Sequence, residues 1–300
     1  MRIGVDLGGT KTEACVLAAG NQLLWRKRLP TPSHSVTAIL TTIATLVAKA
    51  TDACQLSVDL PVGIGTPGSI SPTTGLLRGS NTVVLNGQPL KPLLERQLQR
   101  PVAIANDANC FALAEACAGA ACEADSVFGV ILGTGCGGGL VWRQQLINGA
   151  QGIGGEWGHN RLAHPLLSVR EPRRCFCGQS NCNETWLAGP ALTRSFQQAG
   201  VVCDALPQAI AQLPANTAAQ AVWRDYIELL AFGLAQVVNV FDPETIVLGG
   251  GVSNIAGLAE AVLEMLPNYV FSDCCQTRVV SAALGDSAGV IGAAWLNPAT

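Results

Sequence analysis

The chain has 300 residues, more than one compact domain usually holds and enough for two. Its 18 basic and 21 acidic residues give a formal charge of −3, which excludes a basic nucleic-acid or polybasic membrane surface as the main binding mode. Charged residues are 13% of the chain and apolar residues 49%, so a large core forms and disorder is excluded.

Residues 2–7 read as a short apolar strand, followed by the turn Gly8-Gly9 and a second strand over 12–17. A third strand covers 23–29 and ends at Pro30 and Pro32. Ile39, Ile43, Leu46 and Val47 carry helical spacing over 36–52. Residues 58–65 read as a buried strand, 90–98 as a helix, 102–105 as a strand and 108–121 as a small-residue helix. The opening pattern then recurs: a strand over 127–132, the glycine-rich turn 133–139, a strand over 140–142, and a turn at Gln144-Gln145 into another strand. This recurrence predicts two related lobes joined by a hinge. Residues 149–188 look loop-rich, 219–240 form a long helix, 244–248 form a strand running into Gly249-Gly250-Gly251, and 286–296 form the last helix.

No long apolar stretch precedes Asp6, and the longest apolar runs are broken by Glu115, Asp242 or Asp286 before the ~18 residues a span needs. The expectation is a cytoplasmic chain with no membrane segment and with its 12 cysteines reduced. Cys15, Cys54, Cys110, Cys117, Cys122, Cys136 and Cys203 stand singly, as core cysteines do. The adjacent Cys274 and Cys275 suggest no function.

Three glycine turns sit at strand ends. Asp6-Leu7-Gly8-Gly9-Thr10-Lys11 lets backbone N–H groups approach an anion, with Asp6 near a hydrated Mg²⁺ and Thr10 and Lys11 as donors. The alternative is a plain Gly-Gly hairpin. Gly133, Thr134, Gly135, Gly137 and Gly138 belong to a second turn that is neither a Walker A loop nor a Rossmann fingerprint. Gly249, Gly250 and Gly251 are explained equally well by a helix entry. Together the three turns fit one nucleotide held across a cleft, since phosphoryl transfer needs mainly positioning and charge stabilisation. Asn106-Asp107 closes a strand and opens a helix. Either residue suits an N-cap, and an Asp there can also accept a proton from a substrate hydroxyl.

Cys175, Cys177 and Cys182 follow His159, and one His with three Cys completes a closed tetrahedral zinc site. Free loop thiols are the alternative, and His164 is a weaker candidate for the fourth ligand. Glu156 and Glu184 flank the cluster. A metal-stiffened loop can aim both carboxylates at sugar hydroxyls, with the second nitrogen of His159 free for substrate.

These segments together resemble the ROK family (repressors, uncharacterised frames, sugar kinases) over nearly the whole chain. Its marks here are Asp6 to Lys11, Asn106-Asp107, Gly133 to Gly139, Glu156-Trp157-Gly158-His159, Cys175-Phe176-Cys177-Gly178 with Cys182-Asn183-Glu184, and Gly249 to Gly251. The resemblance implies an α/β, actin-like (ribonuclease-H-like) fold of two lobes with a nucleotide cleft between them. The expected lobes are 1–117, with the C-terminal helix 286–300 packing on it, and 118–285, which carries the zinc loop 156–184. It implies Asp107 as general base, Asn81, Asn106, Glu156, His159 and Glu184 as sugar contacts, and the glycine turns as ATP contacts. His159, Cys175, Cys177 and Cys182 match the zinc ligands. Mg²⁺ accompanies ATP, and a homodimer is expected.

Two details depart from the pattern. Asn181 stands where the family has Gly, and Asn tolerates a positive φ. No helix-turn-helix precedes the first strand, which disfavours the repressor branch and a DNA partner. Within the kinases the likeness of 68–72 and 81–87 is to bacterial fructokinases, so fructose is the expected acceptor. The N-acetylglucosamine kinase branch is the near alternative, through Arg173-Arg174-Cys175 and Gly137 to Gly139, with glucokinase or a non-catalytic sugar sensor more distant.

Overall fold

The alternation of apolar strands and amphipathic helices builds two α/β units, and the computed structural model describes residues 1–297. In chain order the elements are β1 (Arg2–Leu7), β2 (Lys11–Leu17), β3 (Leu23–Pro30), α1 (Val36–Cys54), β4 (Val62–Thr66), β5 (Ser69–Ile70), β6 (Leu77–Arg78), α2 (Leu90–Leu98), β7 (Val102–Asn106) and α3 (Asp107–Ala118). They continue with β8 (Ser126–Leu132), β9 (Cys136–Trp142), β10 (Gln145–Leu146), α4 (Glu184–Leu187), α5 (Gly189–Gln198), α6 (Leu206–Ile210), α7 (Thr217–Phe241), β11 (Thr245–Gly249), α8 (Leu258–Met265), β12 (Arg278–Ser281) and α9 (Ala288–Trp295). One unit comprises 1–123, 139–154 and 283–300, and the other 124–138 and 155–282. The last three residues of the expected helix 286–300 lie outside the described residues.

In the first unit the sheet order is β3-β2-β1-β4-β7. The β1–β2 and β2–β3 pairs are antiparallel, while β4 runs parallel to β1 and β7 parallel to β4. Ile3, Val5 and Leu7 alternate inward, and Ile39, Ile43 and Leu46 of α1 cover them. By length and composition α1 does qualify to cross a bilayer, contrary to the expectation that no segment would, but these residues are buried in the core. The other side of the sheet takes α9, whose backbone approaches so closely that a Cβ on Gly63 would stand 1.7 Å from the carbonyl oxygen of Ala293. Glu115, fully buried in α3, accepts backbone N–H groups of Ala120, Ala283 and Leu284 and pins the returning chain to that helix.

The second sheet has the order β10-β9-β8-β11-β12, and β9 begins in the second unit and ends in the first. Here β11 runs parallel to both β8 and β12. The long helix α7 buries Tyr226, Leu229, Leu230, Leu234 and Val238.

Three expectations need correction. Residues 58–61 precede β4, because Val58 is exposed and Pro61 lacks the N–H a ladder needs. The glycine-rich turn is shorter than expected, since β9 already starts at Cys136 and contains Gly137 and Gly138. Cys122 is exposed and Cys54 half-buried, so these two are not core cysteines.

Candidate active site

Strand register assembles the first group of residues. Asp6 pairs across β1–β4 with Gly65, which pairs across β4–β7 with Ala105, one residue before Asn106. Asp6 and the Asn106-Asp107 pair therefore end up toward the carboxyl ends of two parallel strands, β1 and β7, that flank β4. Asn106 is the N-cap of α3: its Oδ1 accepts the Asn109 N–H at 2.7 Å, leaving its amide N–H groups free to donate. Asp107 accepts the Ala108 N–H at 2.9 Å. Burial raises the Asp107 carboxyl above the usual carboxylate range. Asp6 is raised to about 6 by burial first, then by the nearby carboxylates of Asp107 and Glu13, against Lys11 and Arg28.

The turn after β1 closes through Gly8 N–H to the Lys11 carbonyl at 3.0 Å, and Thr10 and Lys11 are exposed. Asn81 faces that turn, since a Cβ on Gly9 would stand 3.8 Å from its Oδ1. Within 81–87 the Asn86 amide is spent on the Ser80 backbone, accepting its N–H and donating to its carbonyl. A loop-closing role therefore explains Asn86 without reference to any sugar.

In the second unit, the turn 157–159 is fixed from two sides. Trp157 Nε1 donates to the Gly137 carbonyl at 2.9 Å, and Asn183 Nδ2 donates to the Trp157 carbonyl at 2.8 Å. Gly138 lies beneath this indole: a Cβ there would come within 2.9 Å of Trp157 and Phe128. Gly137 and Gly138 thus serve the packing of Trp157 within a strand rather than the turn. Glu156 caps the turn and Glu184 opens α4. The Glu184 carboxylate accepts the Cys136 N–H at 3.0 Å, tying it to the glycine turn 133–135.

His159, Cys175, Cys177 and Cys182 converge, with all four donor atoms within 4.8 Å of one another. Cys175 Sγ is 3.5 Å from His159 Nδ1, and Cys177 Sγ is 3.6 Å from Cys182 Sγ. Tetrahedral Zn²⁺, with bonds of about 2.3 Å to sulfur and about 2.0 Å to nitrogen, needs separations of roughly 3.5–3.8 Å. The donor set fits. Because Nδ1 faces the cluster, Nε2 of His159 remains for another contact. His164 stays apart, accepting the Leu166 N–H on Nδ1 and meeting Tyr269 through Nε2. Asn181 takes φ +58°, as its place in the missing glycine's position requires, and its Oδ1 accepts from Arg173 N–H and Trp186 Nε1.

The remaining glycine turns line one cavity of about 790 Å³ within the second unit. Gly133, Thr134, Gly251 and Val252 form one part of its wall, and Pro190, Leu206, Pro207, Ile210 and Ala256 another. Gly249 is the buried end of β11. Gly250 adopts φ +86° with its α-carbon against Leu132, where a Cβ would lie 2.6 Å from the Leu132 carbonyl oxygen. Sequence reading missed the second part of the wall, because residues from three separate segments meet only in the fold.

A model of the ROK family matches residues 2–300. The chain belongs to the ROK family. An N-acetyl-D-glucosamine kinase of Escherichia coli O139:H28 is 38% identical over 99% of both chains. A ROK hexokinase from Thermus thermophilus superposes with a TM-score of 0.87 at 32% identity, covering 98% of this chain and 97% of that one. A ROK glucokinase from Streptomyces griseus, solved with glucose and AMPPNP, gives 0.74 at 28% identity over 98% and 97%. The fold is thus that of the ROK sugar kinases, actin-like and two-lobed, as the sequence motifs implied.

Proposed function

We propose that this ROK protein transfers the γ-phosphoryl group of ATP to the 6-hydroxyl of a hexose, with N-acetyl-D-glucosamine as the preferred acceptor. Asp107 carries the reading of the reaction. It is a solvent-accessible carboxyl at a strand end, raised in pKa by the protein packed around it, with no ion-pair partner among the described residues. Such a group is suited to act as a general base near neutral pH. It takes the proton of the 6-hydroxyl while that oxygen bonds to the γ-phosphorus. The bond from phosphorus to the β–γ bridging oxygen breaks, and ADP leaves with its electron pair.

The turn Gly8 to Lys11 and the turns Gly133 to Gly135 and Gly249 to Gly251 serve the nucleotide, whose base suits the 790 Å³ cavity. Asn81, the free amide donors of Asn106, and Glu156, Glu184 and His159 Nε2 orient the sugar. Mg²⁺ bound with ATP neutralises phosphate charge, and Asp6 is the carboxylate suited to its hydration shell. His159, Cys175, Cys177 and Cys182 would hold Zn²⁺ as a structural clasp, because four protein ligands leave no open position.

The choice of acceptor rests on the 38% identity to an N-acetyl-D-glucosamine kinase along almost the full length. Fructose, favoured by the likeness of 68–72 and 81–87, is the competing acceptor. The test is coupled ADP release with Mg²⁺-ATP on N-acetylglucosamine, N-acetylmannosamine, glucose, mannose and fructose. The highest kcat/KM is expected for N-acetylglucosamine. A higher value for fructose reverses the acceptor assignment and leaves Asp107 in place; ADP release with none of them overturns the kinase reading.

A further inference from the structure

Arg173 is a buried cation for which the active site has no use. It is 6% exposed. Its four terminal N–H groups are spent on neutral acceptors: the carbonyls of Thr185 at 3.0 Å and Ala191 at 3.1 Å, Ser195 Oγ at 3.0 Å and Gln198 Oε1 at 2.8 Å. Trp186 covers one face of the guanidinium, 3.7 Å from its carbon to the ring centroid. Among the described residues no carboxylate pairs with Arg173, and its Nε–H has no hydrogen-bond partner. A buried guanidinium is ordinarily matched by an acid.

The surroundings add charge of the same sign. Arg173 lines a cavity of about 430 Å³ together with Arg170 and Arg194, and Glu171 is the one acid on that wall. Arg170 is paired with Asp225 at 2.5 Å, whereas Arg194 is exposed and makes no ion pair among the described residues. A clamp on carbonyl groups needs donors but gains nothing from two further guanidinia beside it. Ser195 and Gln198 supply polar walls, and Trp186 an apolar one. The cavity shares no lining residue with the one at the glycine turns.

We propose that this cavity is a second, non-catalytic site for a small phosphomonoester, with its phosphate between Arg194 and the unpaired Nε–H of Arg173. Planar guanidinium groups recognise phosphate oxygens by charge-assisted hydrogen bonds. The volume leaves room for a sugar-sized remainder beside the Trp186 ring.

The experiment is calorimetric titration of the full chain, with AMPPNP filling the nucleotide site. The probes are glucose 6-phosphate, inorganic phosphate, and glucose as the uncharged control. Two variants accompany the wild type: Arg194→Glu reverses the exposed charge, and Gln198→Glu places a carboxylate where Arg173 now meets an amide at 2.8 Å. Glucose 6-phosphate is expected to bind the wild type, with each variant weakening it about tenfold or more. Gln198→Glu is also expected to raise Tm by about 2–4 °C, since it supplies the missing counter-charge. Neither residue belongs to the proposed catalytic machinery, so kcat and KM without added phosphate should stay as in the wild type. An equal variant-sensitive signal from inorganic phosphate identifies the phosphate alone as the recognised group; a signal from the ester only assigns recognition to the ester. Equal dissociation constants in the wild type and both variants, or no binding of either anion at about 10 mM, would overturn the site.

Discussion

Asp107 owes its chemistry to its address. At the mouth of α3 it could have been the cap, but Asn106 performs that task and frees its neighbour. We predict that Asp107→Asn lowers kcat by a factor of about 10²–10⁴, the usual worth of a positioned base. Its hexose dissociation constant and Tm should stay near wild type, because the amide keeps the shape and an oxygen for the Ala108 N–H. Retained turnover would remove Asp107 as the base. Asp6 allows a second prediction, with the sign set by linkage. Its folded pKa of about 6 lies above the ordinary carboxyl value of 3.8, so the folded chain binds the extra proton in that window. Its contribution therefore makes the ligand-free protein lose stability as pH rises from about 4 to about 6. Asp6→Asn should flatten that decline in a series of denaturant melts. An unchanged slope would mean that Asp6 titrates normally.

At the scale of elements, the metal loop was the most legible part of the sequence. Ligand type and spacing alone brought together His159, Cys175, Cys177 and Cys182, and the chain places their donor atoms within 4.8 Å. Asn181 was legible for a local reason too, since a positive φ restricts the residue type. Less legible were β12 and α8. Four residues, Arg278–Ser281, give no period to read, and β12 is an edge strand defined by its pairing with β11. Gly137 and Gly138 misled because a glycine run suggests a turn, whereas both lie in β9, where the missing side chain of Gly138 makes room for Trp157 and the Gly137 carbonyl accepts its Nε1–H. The loop has little core of its own, so bound metal is expected to supply its rigidity. Chelation should lower Tm and raise KM for the hexose before it lowers kcat, because Glu156, His159 and Glu184 lose their aim. Cys177→Ser, which removes an exposed ligand, should reproduce the effect and lower metal content measured by atomic emission. Rapid loss of kcat at unchanged Tm would point instead to a metal acting in the chemistry.

For the whole molecule, the two strand–turn–strand repeats were visible in the sequence because each begins with an apolar run and glycines. The cavity at 133–134, 189–190, 206–211 and 251–256 was not, because its wall comes from segments far apart in the chain. Asn81, Asn106 and Asp107 belong to one unit, and Glu156, His159, Glu184 and this cavity to the other. Ligand binding slows amide exchange by stabilising the groups it orders. AMPPNP is therefore expected to protect 133–135, 206–211 and 250–256 most strongly, together with 8–11 at the phosphate end. N-acetylglucosamine alone should protect 81–82 and 106–109 in one unit and 156–159 and 184–187 in the other. Hydrogen exchange read by mass spectrometry at peptide resolution separates these patterns. Sugar protection confined to the second unit would detach Asp107 from the acceptor, and the assignment of the base would fall with it even if ADP release persisted.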